Sequence, residues 1–88
     1  MFYTYVLKSE KSGKYYVGST HNIVDRVARH NHGQVTSTKY GIPWLVIYKE
    51  QALTRNDAFA RELRIKKYKG GAAFKKLLNL GLDSTITV

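Results

Sequence analysis

Two short aromatic segments, 2–7 (FYTYVL) and 15–19 (YYVGS), flank 10–13 (EKSG), and this spacing confines the start of the chain to a β-hairpin. Both segments are rich in the aromatic and branched residues that strands favour, and Gly13 supplies the turn. An even loop in which Ser9 pairs with Lys14 sets the register: Tyr5 then lies opposite Gly18 and on the same face as Tyr16. Gly18 is the odd member. A glycine inside a strand loses packing and entropy unless another group must come close to the backbone. The expectation is that Gly18 leaves a gap in the sheet surface for a ligand.

A chain of 88 residues makes one small domain, and 43% hydrophobic content with seven tyrosines is enough for a compact core. The expected domain spans 1–80, with 81–88 as a C-terminal tail that is either an edge strand or frayed. No cysteine is present, which excludes disulfides and thiolate zinc sites. The start, MFYTYVLKSE, lacks the basic and apolar regions of a signal peptide, and no stretch reaches the ~18 apolar residues of a membrane span. The expected location is therefore the cytoplasm, with no membrane partner.

Segment 22–31 (NIVDRVARHN) carries Ile23, Val24, Val27 and Ala28 on one helical stripe, with Thr20 or Asn22 as cap and Gly33 as stop. Arg26 and His30, four apart, sit at the edge of that stripe. Residues 33–43 read as a polar loop closed by Gly41 and Pro43. The run WLVIY at 44–48 does not alternate, which suits a strand covered on both faces. Thr54 and Asp57 form a capping pair for a helix to about Tyr68, Gly70 and Gly71 break it, and a last helix ends near Gly81. The order β-β-α-β-α-α predicts an α+β fold, a three-stranded mainly antiparallel sheet flanked by three helices.

On the second helix Ala58, Phe59, Leu63 and Ile65 define the apolar stripe, and Glu62 falls inside it, about 40° from Ala58. A lone carboxylate there needs a partner, because burying one costs several kcal/mol. Lys66, one turn on, can supply it as an ion pair; a metal ion is the alternative. His21, His30 and His32 lack the spacing of a zinc site. Fifteen Lys and Arg against six Asp and Glu give a charge of +9, and eight of the cations lie between Arg55 and Lys76. Such a block suits a polyphosphate partner and equally suits a solvated surface.

Taken together, these residues resemble the GIY-YIG nuclease domain. Thr4-Tyr5-Val6 and Tyr16-Val17-Gly18 stand for the two half-motifs, followed by Ser19-Thr20, by Arg26 and His30 in R-x-x-x-H spacing, and by Glu62 within ARELRIKK. The resemblance covers about residues 2–78, and the nearest kind is the short single-domain bacterial protein related to the nuclease domain of excision-repair endonucleases. It implies a metal-dependent endonuclease that hydrolyses DNA phosphodiesters with one Mg²⁺ or Mn²⁺ held by Glu62. Arg26 is then the phosphate clamp and Tyr5 activates water with support from Tyr16. Arg26, the metal and Lys14 would acidify Tyr5, or His30, with its ordinary pKa of about 6.5, takes the proton. Substrate contacts are expected at Lys14, Gly18, Ser19, Thr38, Lys39 and Lys66, with the phosphate reaching the tyrosines through the Gly18 gap. The chain lacks the added domains of sequence-reading nucleases, so the expected substrate is branched, nicked or damaged DNA in repair or recombination. RNA and a partner protein that delivers the substrate stay open. The alternative is a nucleic-acid-binding module of the same fold without turnover.

Overall fold

The computed structural model describes residues 1–68 and 70–83, with the backbone alone for 80–83. Its elements follow the expected order: β1 (Phe2–Ser9), β2 (Tyr15–Thr20), α1 (Ile23–Asn31), a 3₁₀ turn (Lys39–Gly41), β3 (Trp44–Ala52), α2 (Arg55–Lys66) and α3 (Ala72–Asp83). Of the tail expected at 81–88 as an edge strand or frayed end, residues 81–83 continue α3 instead, and 84–88 lie outside the described residues.

Ser9 N–H donates to the Lys14 carbonyl at 2.9 Å, Gly13 takes a φ of 75° in the turn, and Tyr5 pairs with Gly18. The register is the one the even loop dictates. β3 adds antiparallel to the other edge of β1, giving the order β2-β1-β3. The strand covered on both faces is thus β1, where Tyr5, Val6 and Leu7 are fully buried. β3 is an edge strand, and Leu45 is half exposed. Its unbroken apolar run has another cause. A register shift between Val6 and Leu7 lets both Ile47 and Tyr48 pack on the Val6 side.

Alternation along the strands divides the core in two. Val6 and Val17 meet Ile65 of α2 and Phe74 and Leu77 of α3 on one face. Tyr5, Leu7 and Trp44 meet Ile23 and Val27 of α1 on the other. The Asn22 side chain caps α1 by accepting from Asp25 N–H at 3.0 Å. Val24, expected in the buried stripe, is 72% exposed, because the contact line runs through positions 23, 27 and 30.

Thr54 caps α2 by accepting from Asp57 N–H at 3.1 Å. Thr4 Oγ1 donates to the Ala58 carbonyl at 2.8 Å and ties this helix to the sheet. The buried residues of α2 are Ala58, Glu62 and Ile65. Phe59 and Leu63, also expected inside, are largely exposed. The stripe is therefore narrower than the apolar residues suggest, and the acid sits within it. α3 continues two residues past Gly81, to Asp83.

Candidate active site

Gly18 owes its identity to Tyr5. A Cβ at position 18 would lie 2.6 Å from the Tyr5 hydroxyl oxygen, 2.8 Å from Tyr5 Cζ and 3.0 Å from Tyr16 Cε1. The space expected to admit a phosphate is filled by the Tyr5 phenol itself. Gly18 is the seat of a tyrosine, and its own atoms are buried.

The Tyr5 hydroxyl lies 3.0 Å from His30 Nε2, and His30 Nδ1 lies 2.8 Å from Thr38 Oγ1. Thr38 Oγ1 donates in turn to the Val35 carbonyl at 3.3 Å, an oxygen that can only accept. With the Thr38 hydrogen on the Val35 carbonyl, His30 Nδ1 donates to Thr38 and Nε2 accepts from Tyr5, a tautomer assigned from the hydrogen-bond pattern. Tyr5, His30 and Thr38 are all buried. Thr38 is thus a positioning residue for the imidazole, where a substrate contact was expected. Tyr16, half-buried, meets the His30 ring edge-on at 4.7 Å and lies 6.3 Å from the Tyr5 ring.

Burial sets the electrostatics of this cluster. It pushes Tyr5 up to about 12, and the opposing pull of Arg26 is too weak to reverse it, while the Glu62 charge adds to the rise. Arg26 alone therefore does not acidify the phenol. Burial and then the Arg26 charge lower His30 to about 4, well below the 6.5 of a free imidazole. The Tyr5 hydroxyl beside Arg26 raises the guanidinium further above its usual value. Arg26 Nε is buried and is the sole buried side-chain nitrogen or oxygen among the described residues without a hydrogen-bond partner. A guanidinium N–H in that state is a donor prepared for an external oxygen.

The His30 environment makes a testable pH dependence. In the unfolded chain His30 takes a proton near pH 6.5, whereas the native state refuses it until about pH 4. Between these values the unfolded chain holds the extra proton, so its contribution to native stability is present above pH 6.5 and is lost as pH falls toward 4. The slope is at most ~1.4 kcal/mol per pH unit. Urea unfolding at pH 5 and pH 7.5 should show a smaller difference for His30→Gln than for the wild type.

Glu62 enters from the opposite face. It is 8% exposed, accepts the Ser19 hydroxyl on Oε1 at 2.7 Å and the Lys66 ammonium on Oε2 at 2.6 Å. Ser19, expected at the substrate, is engaged with the acid. The sheet separates Glu62 from Tyr5, Tyr16, Arg26 and His30, so the five do not share one pocket face. They converge at the free edge of β2, where Gly18 carries Tyr5 and Ser19, the next residue, carries Glu62. A groove of about 570 Å³ runs beside this edge, lined by Lys14, Tyr15, Tyr16 and Val17 and by Ile65, Lys66 and Phe74; Tyr5, Arg26, His30 and Glu62 do not line it.

Lys39 is not drawn into the cluster; its ammonium lies over the exposed Tyr40 ring, 5.1 Å from the centroid. Lys14 is exposed and borders Tyr16 in two adjoining grooves. Thr38 and Ser19 as positioning residues escaped the sequence. Strand parity places Ser19 on the face of Thr4, but that α2 covers this face is known only from the structure.

Among the described residues no group of three or more His, Cys, Asp or Glu surrounds a common point. The donor set near Glu62 is one carboxylate whose oxygens retain free lone pairs and whose ammonium partner is half exposed. That set fits a hard divalent ion that keeps most of its waters and borrows phosphate oxygens, as Mg²⁺ does.

A comparison with known protein families matches residues 1–76 to the GIY-YIG catalytic domain. Among curated proteins the chain is similar to a UPF0213 protein of Staphylococcus saprophyticus, 36% identical over 67 residues, covering 75% of this chain and 80% of that protein. It is also similar to a UPF0213 protein of Pediococcus pentosaceus, 35% identical over 85 residues, covering 96% of this chain and 88% of that protein. No solved structure matches.

Proposed function

Because the chain belongs to the GIY-YIG catalytic domain family, we propose that it is an endonuclease that hydrolyses DNA phosphodiesters with one divalent ion held at Glu62. The family implies nuclease-type chemistry and a nucleic acid as substrate. The observation that carries the reading is the orphaned, buried Arg26 Nε beside the Tyr5 and Tyr16 hydroxyls. A phosphate oxygen is the natural acceptor for it.

In this reading water adds to phosphorus and the P–O bond to the leaving oxygen breaks. Arg26 holds a non-bridging oxygen and neutralises its charge. The Tyr5 hydroxyl takes the water proton as it passes its own to His30 Nε2, so that neither an anionic tyrosine nor a charged histidine has to exist beforehand. Phosphate at Arg26 also relieves the cationic field that depresses His30, making the imidazole a better acceptor once substrate is bound. Thr38 fixes the imidazole tautomer, Tyr16 packs against its ring, and Ser19 orients the Glu62 carboxylate. An ion bound at Glu62 would supply charge neutralisation at the phosphate and the leaving oxygen.

The preferred substrate in this reading is branched, nicked or damaged DNA, consistent with a cytoplasmic repair or recombination role; among the described residues no helix is long and apolar enough to cross a membrane. A second reading, a nucleic-acid-binding module without turnover, is favoured by the 2.6 Å pairing of Lys66 with Glu62, which leaves the acid already neutralised. A panel of linear, nicked, flapped and branched DNA plus RNA, with Mg²⁺ or Mn²⁺ and with EDTA, separates the two. The nuclease cuts at least one DNA substrate and stops when EDTA removes the metal. The binding module retains every substrate uncut under both conditions.

A further inference from the structure

Tyr15 precedes Tyr16 on β2, so its side chain leaves the opposite face of the sheet. It has no part in the chemistry assigned above, yet an aromatic ring here is 45% exposed. Its ring meets Phe74 edge-on with centroids 5.0 Å apart, which fixes its orientation. Tyr15 lines the groove of about 570 Å³ whose cations are Lys14 and Lys66. It also lines a second groove, of about 420 Å³, whose cations are Lys8 and Lys75. Neither lining contains an acid. The Lys8 ammonium lies over the Tyr15 ring, 5.7 Å from its centroid, so an aromatic wall common to both grooves, with a cation already against it, lies beside the Glu62–Lys66 pair.

That combination has a specific complement. Lysines meet phosphates, and a rigid exposed ring offers a stacking surface to a nucleobase. In a duplex both faces of a base are covered by its neighbours, so a ring at the side of the helix can stack only on a base that is unpaired. Each groove, of about 570 and 420 Å³, falls within the ~300–1,000 Å³ range of small-ligand pockets. We infer that the grooves on either side of Tyr15 form a track for an unpaired DNA strand, with one base stacked on Tyr15 and its flanking phosphates met by Lys14 and Lys66 and by Lys8 and Lys75. Since Lys66 touches Glu62, the track delivers the phosphate next to an unpaired nucleotide to the hydrolytic site. This last step rests on the nuclease reading. The strand track itself does not.

The test is equilibrium binding of the full chain, in EDTA at ~0.1 M salt, to a short single-stranded oligonucleotide carrying one 2-aminopurine. Stacking on Tyr15 should quench the probe. Tyr15→Leu keeps apolar packing against Phe74 and removes the stacking face, and it should weaken binding by about tenfold and abolish the quenching. Tyr15→Phe should restore both. Phe59→Ala, which removes an exposed aromatic of α2 outside both grooves, should leave both unchanged. Absence of quenching by the wild type, equal binding by Tyr15→Leu, or an equal loss in Phe59→Ala would overturn the inference. Cleavage is scored separately with Mg²⁺ on the full panel of linear, nicked, flapped and branched DNA. Quenching without cleavage sinks the nuclease reading and leaves the track, and cleavage without Tyr15-dependent quenching sinks the track alone.

Discussion

Gly18→Ala is expected to lower the melting temperature by roughly 5–20 °C and to abolish cleavage, although the change adds a single methyl group. Extended backbone at position 18 suits any residue, so the effect is not conformational. It is steric, because the new carbon would sit 2.6 Å from the Tyr5 hydroxyl oxygen and 2.8 Å from Cζ. Tyr5 is fully buried and is held at its hydroxyl by His30, so the ring cannot swing aside without opening the core. Overpacking of this kind costs about 1–3 kcal/mol, which in a domain of this size is the stated shift. Moving the phenol also breaks its 3.0 Å contact with His30, so residual folded protein should have lost the proton route. Thermal melting by circular dichroism and cleavage assays on the soluble fraction read the two effects. A melting temperature within 2 °C of wild type would refute the seating role of Gly18, as that lies well below the ~4 °C expected for even 1 kcal/mol.

The register of the hairpin was legible because strands have a period of two and the loop was even, which alone put Tyr5, Tyr16 and Gly18 on one face. Helix caps at Asn22 and Thr54 were legible as local side-chain chemistry. Glu62 inside the apolar stripe was legible from helical angle, and its burial follows from that angle. What the sequence did not carry was which face of the sheet each helix covers. The acid and the tyrosines were therefore expected in one pocket, whereas α2 packs against Thr4, Val6 and Ser19 and α1 against Tyr5 and Leu7. Desolvation was equally hidden. The cations near Tyr5 argue for an acidified phenol, and only its complete burial decides the sign the other way. His30 looked like an edge residue tuned to neutral pH, and burial again moved it to about 4.

Glu62→Gln is expected to lower Mg²⁺-dependent cleavage by at least about 10³-fold while the fold and nucleic-acid binding persist. The amide oxygen can still accept from Ser19, and the half-exposed Lys66 ammonium can return to water, so no buried charge is stranded. Packing therefore does not demand an acid at this position. Hydrolysis at the β2 edge does, because a neutral amide holds a divalent ion poorly. The decisive measurement is single-turnover cleavage, in Mg²⁺, of a flapped or branched DNA already bound by wild type and by Glu62→Gln. Product formed by the wild type alone, from equally occupied substrate, is the predicted result. Product formed by Glu62→Gln at the wild-type rate would contradict it.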